Sequence, residues 1–252
     1  MFQLNNFYNN QNMKCVAQMG CYQIFEHEKD LSVSPASAVN AYFSSEMNVR
    51  RRQVLCNLNG NNGVILQAGA MQWMLGNVQM NTGVKGVGNF MGKMASAAVT
   101  KESAVKPEYI GQGLVMLEPT YKHLICLDVS QWGTVVLEDG LFLACDNTLQ
   151  HKVVSRSNLS SAVLGGEGLF NLSLTGNGIA VLESPVPQQE LVMFQLQDDC
   201  VKIDGNMAIA WSGSLEFTVE KSTKSLVGSA MSGEGFVNVY RGTGSILMAP
   251  VA

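Results

Sequence analysis

Gly111-Gln112-Gly113-Leu114-Val115-Met116-Leu117-Glu118-Pro119 sets two glycines ahead of an apolar run that a proline closes. The arrangement returns at Gly176-Asn177-Gly178-Ile179-Ala180-Val181-Leu182-Glu183-Ser184-Pro185 and at Gly242-Thr243-Gly244-Ser245-Ile246-Leu247-Met248-Ala249-Pro250. The first glycines lie 65 and then 66 residues apart. Glycine supplies turn dihedrals closed to other residues, and proline ends a strand by removing a ladder donor. A fixed period of this length marks an internal repeat.

Two further elements keep the period. Gly165-Gly166-Glu167-Gly168-Leu169-Phe170 matches Ser232-Gly233-Glu234-Gly235-Phe236-Val237, and Thr100-Lys101-Glu102-Ser103 is a degenerate earlier copy. Asp139-Gly140 before Leu141-Phe142-Leu143-Ala144 is echoed by Asp204-Gly205, with Ala68-Gly69-Ala70-Met71-Gln72-Trp73 as the first copy. Each repeat thus reads as an Asp-Gly turn, a strand, a variable stretch, a Glu-Gly turn built on Gly166 and Gly168 or on Gly233 and Gly235, and a hairpin closed by Gly-x-Gly.

The expected fold is all-β, with three pseudo-symmetric repeats over about 61–125, 126–190 and 191–252 and an N-terminal extension, 1–60, packing on the first. Runs at 134–137, 141–145 and 235–240 are rich in strand-forming residues. Ser34 and Pro35 suit the N-cap and first turn of a short helix over 34–47. Short helical turns are expected at 90–98, 157–163 and 224–231. The asparagine-rich start (Asn5, Asn6, Asn9, Asn10, Asn12) is expected to be frayed or loosely packed.

Charged residues are only 14% of the 252, against about 25% in ordinary globular proteins. So apolar a surface implies cover by another copy of the chain, because a large exposed apolar patch is an aggregation hazard. The 14 methionines fit such a contact surface or the core equally. A net charge of −4 argues against an electrostatic footprint for nucleic acid. The one basic run, Arg50-Arg51-Arg52, reads as a solvated strand face or turn rather than a phosphate site.

None of the six cysteines forms C-x-x-C, the spacing of zinc knuckles and thioredoxin-type motifs. Cys126, Cys145 and Cys200 read as buried small hydrophobes. The start lacks the pattern of a signal peptide, and no apolar run reaches the ~18 residues of a membrane helix. A reducing cytoplasm is the expected compartment.

With these residues quoted, the chain resembles the family named for altered inheritance of mitochondria, whose bacterial members are largely of unknown function. The resemblance rests on residues 165–170, on residues 232–237, and on the Ala-Met run followed by Gly76-Asn77-Val78, and it covers roughly 60–252. It implies a fold similar to the trp RNA-binding attenuation protein, with β-sandwich-like units related to a double-stranded β-helix. It also implies self-association and a bacterial cytosolic location, and it brings no catalytic residues. Mitochondrial targeting does not carry over, because the start lacks a basic amphipathic segment.

Catalytic patterns are weak throughout. His27, His123 and His151 lack the His-x-His spacing of a cupin metal site, and Glu26-His27-Glu28 reads as a polar turn between strands. No serine sits in G-x-S-x-G. His123 and Cys126 are three apart on one strand and face opposite sides. The glycine-rich run 83–92 fails the phosphate-loop patterns; its Val84, Val87, Phe90 and Met91 suit a subunit contact. Glu102, Glu167 and Glu234 are taken as turn residues accepting backbone N–H bonds. Gathered about one axis they would instead need a cation such as calcium. Trp73 and Trp211 read as core or interface aromatics, with Trp132 near a turn.

These observations converge on a non-catalytic, self-associating β protein acting as a scaffold or interaction module, with no cofactor. Binding of single-stranded nucleic acid, by analogy of fold, stands second. Small-ligand or metal binding stands third.

Overall fold

The computed structural model describes residues 2–83, 106–155, 170–221 and 236–251. The chain opens with β1 (Met13–Met19), β2 (Tyr22–His27) and helix α1 (Ala38–Glu46). Around the first Gly-x-Gly lie β3 (Arg52–Leu66), β4 (Met71–Asn81) and β5 (Glu108–Leu117). The second stretch holds β6 (His123–Asp128), β7 (Thr134–Leu137), β8 (Phe142–Asp146), β9 (Gln150–Ser155), β10 (Phe170–Thr175) and β11 (Ile179–Ser184). The third holds β12 (Val192–Asp204), β13 (Ala208–Ser212), β14 (Glu216–Lys221) and β15 (Phe236–Met248). The all-β expectation holds: the strands form an eight-stranded and a seven-stranded antiparallel sheet.

The strand bearing Gly-x-Gly is central in every stretch. β5 pairs with β3 and β4; β15 pairs with β12 on one side and with β13 and β14 on the other. In the second stretch the glycines divide that strand. β10 joins β7 and β9 in one sheet, and β11 joins β6 and β8 in the other, so this stretch ties the sheets together. Each pairing with the strand that follows the Asp-Gly or Ala-Gly turn slips by one residue, at Gln72, Leu143 and Ile209. Such bulges sharpen strand twist.

Gly-x-Gly does not close a hairpin, as expected from sequence, but bends a strand. β4 runs alongside β5 on both sides of the glycines, from Met80 opposite Tyr109 to Met71 opposite Leu117. Gly111, Gly176 and Gly242 share φ of 119°, 122° and 114°, a conformation that L side chains rarely adopt. A Cβ on Gly111 would lie 2.1 Å from the Asn77 carbonyl oxygen, and one on Gly113 2.0 Å from that of Leu75. Gly178 and Gly244 also lack room, with Thr148 Oγ1 at 2.9 Å and Ser212 Cβ at 2.8 Å from the added carbon. Pro119, Pro185 and Pro250 stand just past the ends of β5, β11 and β15.

The central core draws on both sheets, through Ile65, Leu137, Phe142, Leu182, Ile209 and Leu247. Ala180, Val181 and Leu182 on β11 are all fully buried, with Val181 turned to a second cluster around Val54, Cys56, Val115 and Leu117. That double burial explains an apolar run without alternation. Trp211, Phe217 and Tyr240 fill a third cluster, with the Trp211 and Phe217 rings stacked.

Several expectations are corrected. The asparagine-rich start, expected to be frayed or loosely packed, is anchored at one point: Phe7 is 8% exposed and lies against Phe25, Trp73, Leu55, Leu114 and Met116, while Asn5, Asn6 and Asn9 stay exposed. The asparagines hold the turns that deliver it. Asn10 Oδ1 accepts from Asn12 N–H, while the Asn12 side chain bonds both backbone groups of Lys29. The helix begins at Ala38 with Ser37 at its cap, because residues 34–37 close a turn of their own through Ser37 N–H to Ser34 O. Cys145 is buried, but Cys126 is half-buried and Cys200 is exposed on β12. The helical turns expected at 90–98, 157–163 and 224–231 lie outside the described residues.

Phe7→Ala tests whether the arm carries stability. The packing predicts a loss of about 3 kcal/mol in urea denaturation, where a frayed start would give no change.

Candidate functional site

A cleft of about 690 Å³ lies between α1 and the adjoining ends of β2 and β3. Charge organises it. Glu26 stands opposite Arg52 across the β2–β3 ladder, and Arg52 Nε donates to Glu26 Oε2 at 2.8 Å. The rest of the Arg52 guanidinium bonds the carbonyls of Arg50, Tyr121 and Asn48 and the Asn48 side chain. Arg52 is 4% exposed and the Glu26 side chain 14%, so the cation is buried and its carboxylate partner part-buried. Arg50 reaches Glu26 Oε1 at 3.2 Å and Glu28 Oε2 at 3.4 Å, and Arg51 reaches Asp30 Oδ1 at 3.0 Å. Lys14 pairs with Glu28 at the exposed end.

Two of the acids are held below their usual range. The hydrogen bond from Lys14 holds the Glu28 carboxyl below its usual value, and the bond from Tyr121 does the same for Asp30. The Tyr121 hydroxyl is pushed up in return. His27 Nε2 shares a hydrogen bond with Gln53 Oε1 at 3.0 Å, and Gln53 donates onward to Leu117 O and Gln72.

The network holds α1 by its C-terminal end. Ser45 Oγ donates to Glu28 O, Arg50 Nε to Ser45 O, and Arg52 to Asn48 just past the helix. α1 itself buries no residue. Its Val39, Tyr42 and Phe43 are 65%, 58% and 61% exposed, beside Leu31 at 72% and Met47 at 76%. The cleft is therefore a polar fixing point under an apolar outer surface.

Two sequence expectations change here. Glu26 and His27 are the last residues of β2 rather than a turn, because the facing arginine lets a carboxylate sit in the ladder. The arginine run is paired in full, and its third member is buried rather than solvated. Glu102, Glu167, Glu234, Gly166, Gly168, Gly233, Gly235, Val84, Val87, Phe90 and Met91 lie outside the described residues. Among the described residues no three His, Cys, Asp or Glu side chains group as metal ligands. No described helix is long and apolar enough to cross a membrane.

The remaining reactive groups are quiet or apart. Burial pushes the Cys21 and Cys145 thiols up to about 12 and that of Cys126 to about 11, and it lowers His123. On β6, Ile125 and Leu127 share the His123 side and meet the central core, whereas Cys126 packs on the second cluster. His123 and Cys126 accordingly face opposite ways.

The family model named Mitochondrial biogenesis AIM24 matches residues 43–251. The chain belongs to the AIM24 family. It is 31% identical over 191 residues to an uncharacterized protein of Streptococcus pyogenes serotype M6, covering 73% of this chain and 75% of that protein. It also resembles a crystal structure of a Streptococcus pyogenes protein, with a TM-score of 0.59 and 27% identity over 80% of this chain and 88% of the other. The AIM24 match begins inside α1 and takes in Arg50, Arg51 and Arg52, whereas Glu26, Glu28 and Asp30 precede it. The cleft thus joins Arg50 and Arg51 of the AIM24 region to Glu28 and Asp30 from the segment just after β2.

Sequence reasoning saw the arginines and acids but not their pairing, since nothing in either run sets the register of β2 on β3. Glu26→Gln removes the counter-charge of buried Arg52 and is expected to lower stability by about 3 kcal/mol. Lys14→Ala, at the exposed end, is expected to change it by less than about 1 kcal/mol. Chemical denaturation of both variants checks the contrast.

Proposed function

We propose that the chain is a non-catalytic β protein that works by assembling with copies of itself, with α1 as an apolar contact surface. The observation that carries this is a nine-residue helix with no buried residue. So short a helix is not stable by its own backbone and draws its stability from packing. Here the chain fixes it by polar bonds at one end and leaves Tyr42, Phe43 and Met47 outward. Exposed methionines elsewhere, Met74 at 45%, Met80 at 51% and Met193 at 47%, support the same reading, because methionine adapts to varied contact surfaces.

The common pairing scheme around each Gly-x-Gly supports a description as three copies of one unit. All six thiols are free, which supports a reducing, cytoplasmic setting. The arginine run is matched by carboxylates, which favours protein contacts over nucleic acid.

Native mass spectrometry of the purified chain is the test. Multiples of the 27.2 kDa chain are expected at micromolar concentration, and Tyr42→Ser with Phe43→Ser should weaken assembly at least ~10-fold. A monomer throughout would contradict the proposal.

A further inference from the structure

Gln18, Gln23, Asn57, Asn59, Gln112 and Asn77 form a line of carboxamides across one face of the first sheet. Gln18 on β1 stands opposite Gln23 on β2, and Gln23 opposite Leu55 on β3. Asn57 and Asn59 follow Leu55 at alternate positions, which keeps all three on that face, while Cys56 and Leu58 turn to the second cluster. Asn59 then stands opposite Gln112 on β5, and Gln112 opposite Asn77 on β4. The line crosses five neighbouring strands, a span of about 19 Å.

Two hollows lie along this line and meet at Asn57 and Asn59. The larger, about 590 Å³, takes in Phe2, Leu114, Asn77 and Gln112. The smaller, about 270 Å³, takes in Gln18, Cys21, Gln23 and Asn62. No charged side chain lines either of them, in contrast to the cleft beside α1. Asparagines fix the backbone where the hollows meet. Asn59 N–H donates to Asn62 Oδ1, Asn61 N–H to Asn59 Oδ1, and Asn62 Nδ2 to Asn57 O.

Much of the hydrogen-bonding capacity of these amides is unused. Among the described residues the Asn57, Asn77 and Gln112 side chains bond no other group of the protein, and Gln23 Oε1 is buried without a partner. Each carboxamide offers two donors and an acceptor. An aromatic ring stands at the end of the larger hollow. Gly76 has φ of 98°, and a Cβ there would lie 3.1 Å from Phe2 Cε1. The bare glycine therefore seats the Phe2 ring, which is 46% exposed.

We propose that this groove binds a short neutral oligosaccharide. A sugar hydroxyl donates and accepts at once, and two neighbouring hydroxyls match the paired oxygen and amino group of a carboxamide. The C–H face of a pyranose ring packs on an exposed aromatic ring, the part assigned to Phe2. Charge decides the class of ligand: an ion entering the groove would shed water and meet no counter-charge. The span of about 19 Å between strands suits roughly four pyranose rings. The groove shares no residue with α1 or its cleft, so this site stands apart from the self-assembly reading above.

Calorimetric titration of the full chain with maltotetraose, cellotetraose and xylotetraose is the test, with trigalacturonate as the charged control. At least one neutral sugar is expected to bind with a Kd of about 1 mM or tighter. Trigalacturonate should bind at least ~10-fold more weakly. Asn77→Ala with Gln112→Ala alters only exposed side chains and should weaken sugar binding at least ~10-fold. Phe2→Ala should do the same, whereas Tyr42→Ser with Phe43→Ser should leave it unchanged. No heat from any of the neutral sugars at ~10 mM would overturn the proposal. So would binding that the groove variants leave intact, or equal binding of trigalacturonate. The subunit count in native mass spectrometry is read separately, so either reading can fail without the other.

Discussion

The architecture depends on how closely β4 approaches β5 at the bend. The Asn77 and Leu75 carbonyl oxygens occupy the space where Cβ atoms would stand on Gly111 and Gly113. Without side chains there, β5 can turn while its partners stay bonded on both sides. The shared φ at Gly111, Gly176 and Gly242 shows one backbone device used three times. In the second stretch the bend carries the strand out of one sheet and into the other, and a single central core follows from that crossing.

The N-terminal arm completes what the first stretch leaves open. In the second stretch, Leu143, Ala144 and Val181 turn one face toward the cluster of the first. In the third, Ile209, Ala210 and Leu247 turn the matching face toward the central core. The corresponding face of the first stretch carries Trp73 and Met116. Phe7, Phe25 and Leu4 cover it. β2 covers this face through Phe25 and brings Glu26 to the arginine run, while Glu28 and Asp30 follow from the segment just after it.

Much of the fold was legible because its signals are local. Glycine spacing, proline stops and β-branched runs each act within a few residues, and they placed β7, β8 and β11 closely. The bend at Gly-x-Gly was misread as a hairpin, since a positive φ looks the same in a turn and inside a long strand. The Asn-rich arm was misread as well. Asparagine signals turns, and only the folded sheet supplies the Leu55, Leu114 and Met116 surface on which Phe7 closes. The cleft was the least legible part, because Glu26 and Arg52 meet only once β2 and β3 are in register.

The most direct measurement is the urea stability of Gly111→Ala, Gly176→Ala and Gly242→Ala beside Gly140→Ala, a turn glycine with open space around it. All three bend variants should lose stability. Gly176→Ala and Gly242→Ala should lose about 1–2 kcal/mol from backbone strain alone. Gly111→Ala, which adds the clash with Asn77, should lose about 4 kcal/mol. A Gly111→Ala protein no less stable than Gly140→Ala would contradict the account.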